Sequence, residues 1–242
     1  MQDTSFKIQK TKGSKLKQYG ELVVGSANFW VILKFELITL LFSWIPGAFG
    51  LGLRSFFYPF LFKKVGKGVV FGKSLTLRHP HKIELGDSVV IDDDCLLDAK
   101  GSLNQGIVIE NGAFIGRQSS IYGKNGYIRL GKNVNLGIGC ILFSSNSITI
   151  GEGTLLAAHC YLLSGGNYQY GNTARPFIEQ SGDLTQGPLE IGKNCWLGAK
   201  VVVLDHASIG DHCVIGAGAV VNQPIAEHSL AVGVPARVIK EI

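Results

Sequence analysis

Four observations in the sequence predict a mainly β fold in which a solenoid of stacked coils follows an apolar helical segment. An aliphatic residue recurs at every sixth position, 32 of the 242 residues are Gly, and only 17% are charged. The chain is also strongly apolar between residues 29 and 62. Long helices tolerate Gly poorly and are rich in charged residues, so a solenoid with Gly at its corners fits this composition better than a helical enzyme does.

The six-residue period is clearest near the end of the chain. Successive hexads open at Ile191, Leu197, Val203, Ile209, Ile215 and Val221. We expect each hexad to form a short strand and a corner, because the opening residue points inward and the Gly or small residue after it permits a tight turn. Three hexads should close one coil, and stacked coils bury a continuous aliphatic core.

All five cysteines fall at one position of this repeat. Each lies four residues after a hexad-opening Ile or Leu, at Cys95, Cys140, Cys160, Cys195 and Cys213. This position should be small and point inward, which favours packing over metal binding or catalysis. An odd number without a CxxC pair is typical of a reducing compartment.

Basic residues are concentrated at the N-terminus. Residues 1–73 contain 11 Lys or Arg and 3 acidic residues, whereas the rest of the chain contains 12 and 15. The net charges are therefore +8 and −3, which sum to the +5 of the whole chain. We expect residues 1–27 to form a solvated basic arm or a frayed helix, and they do not resemble a secretory signal.

The apolar stretch of residues 29–62 is interrupted at Pro46-Gly47. A bent pair of helices lying in one membrane leaflet would keep Lys34 and Glu36 at the interface, and the flanking lysines would meet anionic headgroups. A membrane span would instead place charge near the bilayer centre, at about 2.5–3.5 kcal/mol per residue. A helical cap, buried against the first coil or a neighbouring subunit, is the third interpretation.

The domain organisation follows from the spacing of the coils. We predict a membrane-associating segment at 1–68, a solenoid at 69–221 and a C-terminal cap at 222–242. The bare coil repeats after 18 residues, but one interval is 41 residues long and marks a loop at 164–188. A long loop on a rigid scaffold commonly carries function.

Several of these features together resemble the hexapeptide-repeat acyltransferases, specifically their maltose/galactoside/xenobiotic O-acetyltransferase branch. They are the hexads, the loop, Ile-Gly-Ala-Gly-Ala-Val-Val at 215–221 and Gly-Val-Pro-Ala-Arg at 233–237. The resemblance covers about residues 69–242. It implies a left-handed parallel β-helix, a homotrimer with active sites between adjacent subunits, and acetyl-CoA as co-substrate without a metal.

The resemblance also implies which residues bind the CoA thioester. Ala199, Ala217 and Gly218 would lie near the pantetheine arm, because a thin arm needs close approach to the backbone. Arg237 and Lys240 are candidates for the CoA phosphates. Coil packing for the small residues and a solvated terminus for the two cations are the alternative interpretations.

The chemistry implied is acyl transfer with a neutral His as general base. The family carries this His in the loop, seventeen residues after the Ile of the preceding Ile-Gly. Counting from Ile150 reaches Asn167, and an amide cannot act as a base. His159 is the first candidate replacement, with Asn167 kept as an orienting group. His79 and His81 are the second candidates for the base. The third interpretation is that the chain has no base.

His206 and His212 occupy the same outward hexad position as His159, and we assign both to the surface. The three should lie on three different corners of the solenoid. The γ-class carbonic anhydrases share the implied fold but need three His around zinc, so this register argues against a zinc site.

The sequence thus predicts an O-acetyltransferase at the cytoplasmic face of the inner membrane. It would move acetyl from acetyl-CoA to a sugar hydroxyl of a lipid-linked glycan or an envelope polysaccharide precursor, with no nucleic-acid partner. Two alternatives remain open. One is a non-catalytic, membrane-bound scaffold, and the other is an acyltransferase that uses acyl carrier protein as donor and a lipid precursor as acceptor.

Overall fold

The computed structural model of the chain describes residues 14–101, 105–169, 176–180 and 184–242. Its main body is a solenoid made of three parallel sheets, with seven, nine and seven strands. The predicted mainly β, solenoidal fold is therefore confirmed. The part of the basic arm at 1–13 lies outside the described residues.

The three sheets, named A, B and C, take one strand each from every coil. Sheet A consists of β1 (Lys64–Val65), β4 (Ile83–Leu85), β7 (Gly106–Ile109), β10 (Tyr127–Leu130), β13 (Ser147–Ile150), β16 (Leu189–Ile191) and β19 (Ser208–Ile209). Sheet B consists of β2 (Val70–Phe71), β5 (Val90–Ile91), β8 (Phe114–Ile115), β11 (Asn135–Leu136), β14 (Leu155–Leu156), β17 (Trp196–Leu197), β20 (Val214–Ile215), β22 (Ser229–Val232) and β23 (Arg237–Glu241). Sheet C consists of β3 (Thr76–Arg78), β6 (Leu96–Asp98), β9 (Ser120–Gly123), β12 (Ile141–Ser144), β15 (Tyr161–Ser164), β18 (Val202–Val203) and β21 (Val220–Val221).

Three corners join these sheets, and only one of them varies in length. The AB corner joins sheet A to sheet B and the BC corner joins sheet B to sheet C, each with the same spacing in every coil. The CA corner, which leads from sheet C to the next coil, absorbs every insertion. The predicted loop leaves here, between β15 and β16. The sequence repeat is therefore unevenly spaced because the CA corner alone differs in length from coil to coil.

The core consists of the residues that the hexad pattern places inward. The hexad-opening residues from Ile191 to Val221 are buried, with at most 3% of their surface exposed. All five cysteines are buried free thiols. Their sulfur atoms donate to backbone carbonyls, as Cys95 Sγ does to the Gly116 oxygen at 3.3 Å. The prediction that the cysteines are packing residues is confirmed.

Both predicted boundaries of the solenoid need correction. β1 already pairs with β4 in parallel, so the solenoid begins at Lys64 and not near Val69. At the other end, Ile225 forms a bridge with Ile209, and β22 extends sheet B in parallel. The stacking therefore continues past Val221. The predicted cap contains a further partial coil, on which β23 folds back antiparallel.

The chain before the solenoid is helical. It contains α1 (Lys15–Tyr19), a π-helical turn (Gly20–Val24), α2 (Phe29–Phe42), α3 (Gly47–Phe57) and a 3₁₀ helix (Tyr58–Leu61). The Asn28 side chain caps α2 by accepting from the Trp30 backbone N–H at 2.9 Å. Pro46, which precedes α3, separates the two long helices as predicted.

One face of these helices covers the open end of the core. Tyr58 and Phe62 pack against the inward-pointing ring of Phe71 in the first coil. Arg54 is 1% exposed. Its Nε donates to the Phe71 oxygen at 2.9 Å and its Nη1 to the Ile45 oxygen at 2.7 Å. Burial lowers the pKa of this guanidinium. The inner face of the segment therefore caps the first coil. This contact does not depend on what the outer face of the segment binds.

No single helix in the described part of the chain is long and apolar enough to cross a membrane. Lys15–Val24 and Phe29–Phe42 pass the test of length and composition only as a pair, and this pair is bent by 65°.

Candidate functional site

Four of the predicted site residues lie on one line along the solenoid, at the BC corner. His159, Ala199 and the pair Ala217-Gly218 occupy this corner in three successive coils. Backbone hydrogen bonds join consecutive corners, from Lys200 N to the Ala158 oxygen at 2.9 Å and from Gly218 N to the Ala199 oxygen at 2.8 Å. We call these four residues the BC column. Coils stack about 4.8 Å apart, so the column is about 10 Å long.

His159 stands at the end of the BC column that comes first in the chain, in the fifth coil, which we call the upper end. It has a left-handed backbone conformation with φ of 60°, its backbone N–H donates to the Ile138 oxygen at 2.8 Å, and its side chain is exposed. The ring lies over Gly139 of the preceding coil, where any Cβ would collide with it. The imidazole is therefore held along the column and is open to solvent.

The lower part of the column offers backbone donors and free space. Among the described residues, none accepts a hydrogen bond from the backbone N–H of Ala199 or Ala217. Gly218 has φ of 72°, and a Cβ there would have no atom within 4 Å. The fourth coil also has a Gly at this position, but the His159 ring covers Gly139, whereas no residue that the structure describes covers Gly218 and the corner there is open. An amide-containing chain can approach the backbone here.

The two candidate phosphate-binding cations lie beyond the end of the column. The Gly233 oxygen accepts from Val220 N at 3.0 Å, so the chain passes the BC corner once more before β23. Arg237 opens β23 opposite Val232 and is exposed. Lys240 is also exposed, but it lies opposite Leu230, farther from the corner. Arg237 is therefore the better placed of the two.

The root of the loop is held at the CA corner by the carboxylate of Asp205. Asp205 Oδ1 accepts from Gly165 N at 2.6 Å and from Thr185 Oγ1 at 3.1 Å. Its Oδ2 accepts from Asn167 Nδ2 at 2.7 Å and from Gln186 N at 2.7 Å. One side chain thus binds both ends of the loop. Hydrogen bonds to a charged acceptor are stronger than neutral ones.

Asn167 lies in this root and not beside His159. Its backbone N–H donates to the Leu184 oxygen at 3.0 Å, and its side-chain amide is bound to Asp205. The four-residue strand β15 separates the CA corner from the BC corner, a span of about 13 Å at 3.3 Å per residue. Within one subunit, Asn167 therefore cannot orient a group that reacts at His159.

The described part of the loop folds onto its own root. Tyr168 and Phe177 form an edge-to-face pair with ring centres 5.9 Å apart. Gln169 N donates to Gln180 Oε1 at 2.9 Å. Of the predicted loop 164–188, residues 170–175 and 181–183 lie outside the described residues.

His79 and His81 lie in the first coil and hold the N-terminal segment. His79 Nε2 lies 3.1 Å from the Glu21 oxygen and 3.2 Å from the Leu22 oxygen, and the two rings stack at 5.9 Å. Burial lowers the pKa of His79. Within one subunit, four coil spacings separate these residues from the root of the loop, and their entry into the site from a neighbouring subunit stays a prediction.

The remaining histidines behave as surface residues. His206 lies at the CA corner and His212 at the AB corner, so with His159 they occupy three different corners as predicted. Both are exposed, and the His212 ring stacks on His228 at 5.0 Å. Across the described ranges, no three His, Cys, Asp or Glu residues are grouped to hold a metal ion.

Asp205 is the site residue that the sequence did not reveal. The only signal for it was its position in the hexad that opens at Val203, on the CA corner one coil after the loop leaves. Recognising it would have required knowing that the loop folds back onto the next coil.

Two family models match the solenoid. The bacterial transferase hexapeptide (six repeats) matches residues 188–223, and the hexapeptide repeat of succinyl-transferase matches residues 127–164. These matches and the relatives below confirm the resemblance to hexapeptide-repeat acyltransferases.

Relatives with curated names are similar over half to two thirds of the chain. A Mycobacterium tuberculosis protein named "Probable acetyltransferase" is 33% identical over 164 residues, 68% of this chain and 53% of that protein. The galactoside O-acetyltransferase of Escherichia coli is 34% identical over 121 residues, 50% of this chain and 56% of that protein. The chain thus spans about half the length of these relatives.

A solved structure shares the fold. It is a mutant of AntD, an N-acyltransferase from Bacillus cereus, in complex with dTDP and coenzyme A. The TM-score is 0.53 at 20% identity, and the match covers 83% of this chain and 91% of that one.

Proposed function

We propose that this chain, a hexapeptide-repeat protein of the bacterial transferase type, is an O-acetyltransferase that uses acetyl-CoA and a sugar hydroxyl. The observation that carries the proposal is the BC column, in which an exposed His, unpaired backbone donors and an open Gly corner line up toward Arg237. The named functions of the relatives support the same reaction class.

The BC column suits an extended thioester donor. Free N–H groups at Ala199 and Ala217 can donate to the amide carbonyls of a pantetheine arm, and Gly218 leaves room for it. The guanidinium of Arg237, at the lower end, can pair with phosphate oxygens. The donor's carbonyl would then lie toward the upper end of the column, where His159 stands.

His159 is the proposed general base. A ring nitrogen of the neutral imidazole takes the proton of the acceptor hydroxyl while the oxygen attacks the thioester carbonyl. The C–S bond then breaks, and the imidazolium returns the proton to the departing sulfur. Acetyl is thereby transferred to oxygen, a thiol is released, and His159 is neutral again.

The outer faces of the sheets support a homotrimer. The outward row of sheet A is polar except for one valine: Lys64, Glu84, Val108, Arg129, Thr149, Glu190 and Ser208. The outward row of sheet B is apolar except for one asparagine: Val70, Val90, Phe114, Asn135, Leu155, Trp196, Val214 and Leu230. Trp196 is 56% exposed and Leu155 is 40% exposed in the single chain. Such a stripe indicates an interface between copies.

A trimer would also bring the separated site residues together. In a three-fold assembly around an axis parallel to the solenoid, equal coils of neighbouring subunits lie at equal height. The loop of one subunit can then face the BC column of the next, and Asn167 can hydrogen-bond an acceptor near the neighbour's His159. The amide orientation that Asp205 imposes on Asn167 suits this role.

The proposed acceptor is a lipid-linked glycan or an envelope polysaccharide precursor at the cytoplasmic face of the membrane. Its support is the basic, apolar helical segment that precedes the solenoid.

Donor binding and sugar acylation test the proposal together. Calorimetry with purified protein should show binding of acetyl-CoA below about 1 mM, in the usual range of KM values. Mass spectrometry of a panel of sugars incubated with acetyl-CoA should then show acetyl esters. Absence of binding at millimolar acetyl-CoA would exclude this donor.

Two other functions are distinguished by the same assay. The amide of Asn167, at the position where a His was expected, favours a scaffold that has kept the loop but lost the base, and such a protein would turn over no thioester. An enzyme that uses acyl carrier protein would transfer an acyl group from that donor but would not bind acetyl-CoA.

A further inference from the structure

The outer face of α2 and α3 is the largest feature that the proposed reaction leaves unused. Large apolar side chains are exposed along both helices: Phe29, Trp30, Leu37, Leu40, Leu41, Trp44, Phe49, Leu51 and Phe56. Trp30 and Phe49 are 72% and 73% exposed. A continuous apolar surface of this kind on a folded domain indicates a membrane or a partner.

This face points away from the solenoid along its axis. The opposite side of α3 and of the 3₁₀ helix after it covers the open end of the core, where Tyr58 packs on Phe71 and Ser55 Oγ donates to the Val69 oxygen at 3.2 Å. The helix α2 packs beside α3, where the rings of Phe42 and Phe57 stack 4.2 Å apart. The helices are therefore a lid on the first coil, and their exposed face forms one end of the molecule.

The charges around this end favour an anionic lipid surface over a second protein. Lys63, Lys64, Lys67 and Lys73 lie in and beside the first coil, and Lys63 Nζ pairs with Glu84 Oε1 of the second coil at 2.8 Å. The acidic residues in the described part of this region are Glu21 and Glu36, and Glu36 accepts a hydrogen bond from Tyr19. Lysines close to a cytoplasmic leaflet gain about 1 kcal/mol each.

We propose that α2 and α3 lie in the membrane surface with the solenoid standing end-on, so that the reaction takes place at a fixed height above the lipids. His159 is in the fifth coil, four spacings of about 4.8 Å from the first, which gives about 19 Å. The helical layer adds about 10 Å. The height is therefore about 30 Å.

This height defines the class of acceptor, an inference that rests on the proposed function. A sugar joined directly to a lipid phosphate stays near the headgroup region, which is only about 5–8 Å thick. It cannot reach His159. The acceptor is therefore a membrane-anchored glycan whose reacting sugar is several units away from the lipid.

The orientation can be measured without any substrate. Lys73, Arg117 and Lys200 are exposed on the BC corner of the first, third and sixth coils. Single Lys73→Cys, Arg117→Cys and Lys200→Cys variants can be labelled selectively, because all five native cysteines are buried. On anionic vesicles with a surface dye, energy transfer should fall in that order.

Equal energy transfer from the three labels would show that the solenoid lies on its side and would overturn the proposal. Protein that stays in solution with vesicles of about 30% anionic lipid would overturn it as well. A dimer joined through α2 and α3, detected by light scattering with no vesicle binding, would identify a second copy as the occupant.

Acceptor length tests the height. Residues 106–126 form one coil that does not contact His159, since Gly106 and Tyr127 occupy equivalent positions. Deleting this coil should lower the site by about 5 Å and shift acetylation of membrane-anchored glycans toward shorter chains, whereas duplicating it should shift acetylation toward longer ones. Transfer to a soluble oligosaccharide should not depend on coil number.

The possible failures are distinguishable. Equal acetylation of membrane-anchored mono- and oligosaccharides would overturn the height proposal and leave the proposed reaction intact. No acetylation of any glycan, soluble or anchored, would overturn the acceptor class together with the proposed function. If the deletion variant does not fold, the energy-transfer order measured on the cysteine variants, which keep every coil, still decides the orientation.

Discussion

The BC and CA corners flank the same sheet but are built for opposite purposes. At the BC corner, every connection has the same length, the lower residues are small, and the N–H groups of Ala199 and Ala217 have no acceptor among the described residues. At the CA corner, lengths vary, and polar side chains tie down the chain that is inserted there. His79 fixes the N-terminal segment at this corner, and Asp205 fixes the loop.

The difference shows how a solenoid can separate two tasks. A corner with unused backbone donors is suited to a ligand, whereas a corner whose side chains bind distant segments is suited to holding appended structure. We therefore expect substitutions at the BC corner to affect chemistry and donor binding, and substitutions at the CA corner to affect local order.

The largest effect should come from His159→Ala. Loss of a general base lowers turnover by about 10²-fold or more. His206→Ala is the matched control, because His206 is equally exposed but lies at the CA corner. Initial rates of acetyl transfer measure both variants. A slow His206 variant with a near-normal His159 variant would reverse our assignment of the two corners.

Next in size should be the effect of Ala217→Leu. The larger side chain would cover the free N–H and the open space at Gly218, so the KM for acetyl-CoA should rise about tenfold, equivalent to 1.4 kcal/mol. Ala226→Leu makes the same change at an exposed residue of the AB corner and should have no effect. Unchanged donor affinity in the Ala217 variant would place the donor elsewhere.

Asp205→Asn should loosen the loop more than it destabilises the solenoid. It removes the charge from four hydrogen bonds, and each bond to a charged group contributes about 1.5–3 kcal/mol. Amide exchange at Gly165 and Gln186 should become faster. Asp211→Asn is the control, because Asp211 accepts from Lys193 N at 2.7 Å without holding a loop. If both variants exchanged alike, Asp205 would have no special role.

The smallest effect should be the pH dependence at His79. Burial holds the pKa of His79 below its ordinary value, with Lys82 acting in the same direction and Asp98 opposing it. The folded state therefore prefers the neutral ring. Its contribution to docking is complete above about pH 6.5 and is lost as the pH falls through the lowered pKa. The protection factors of residues 14–28, which correct for the slower intrinsic amide exchange in acid, should fall on acidification, and His79→Gln should weaken that dependence.

The hexad period was sufficient to predict the coils, the inward residues, the buried cysteines and the three different corners of His159, His206 and His212. These properties depend only on the position of a residue within its hexad, and that position can be read from the neighbouring sequence. The same register also places Ala199, Ala217 and Gly218 below His159 on one corner, a juxtaposition that the sequence analysis did not predict.

The CA corner could not be predicted in the same way, because its contacts join residues far apart in the chain. Asp205 lies 38 residues from Asn167, and His79 lies 58 residues from Glu21. No local pattern encodes such pairs. The predicted start at Val69 failed for a similar reason, since Lys64–Val65 is recognisable as a strand only once its partner Glu84–Leu85 is known.

The antiparallel strand β23 has a consequence for self-association. A parallel solenoid presents unpaired strands at both ends, and such edges can add further chains without limit. The helices cover one end, and β23 runs against β22 in the reverse direction, so no further coil can continue sheet B. Its exposed Arg237, Lys240 and Glu241 also discourage edge pairing. A chain that ended before residue 237 would thus be prone to form fibres.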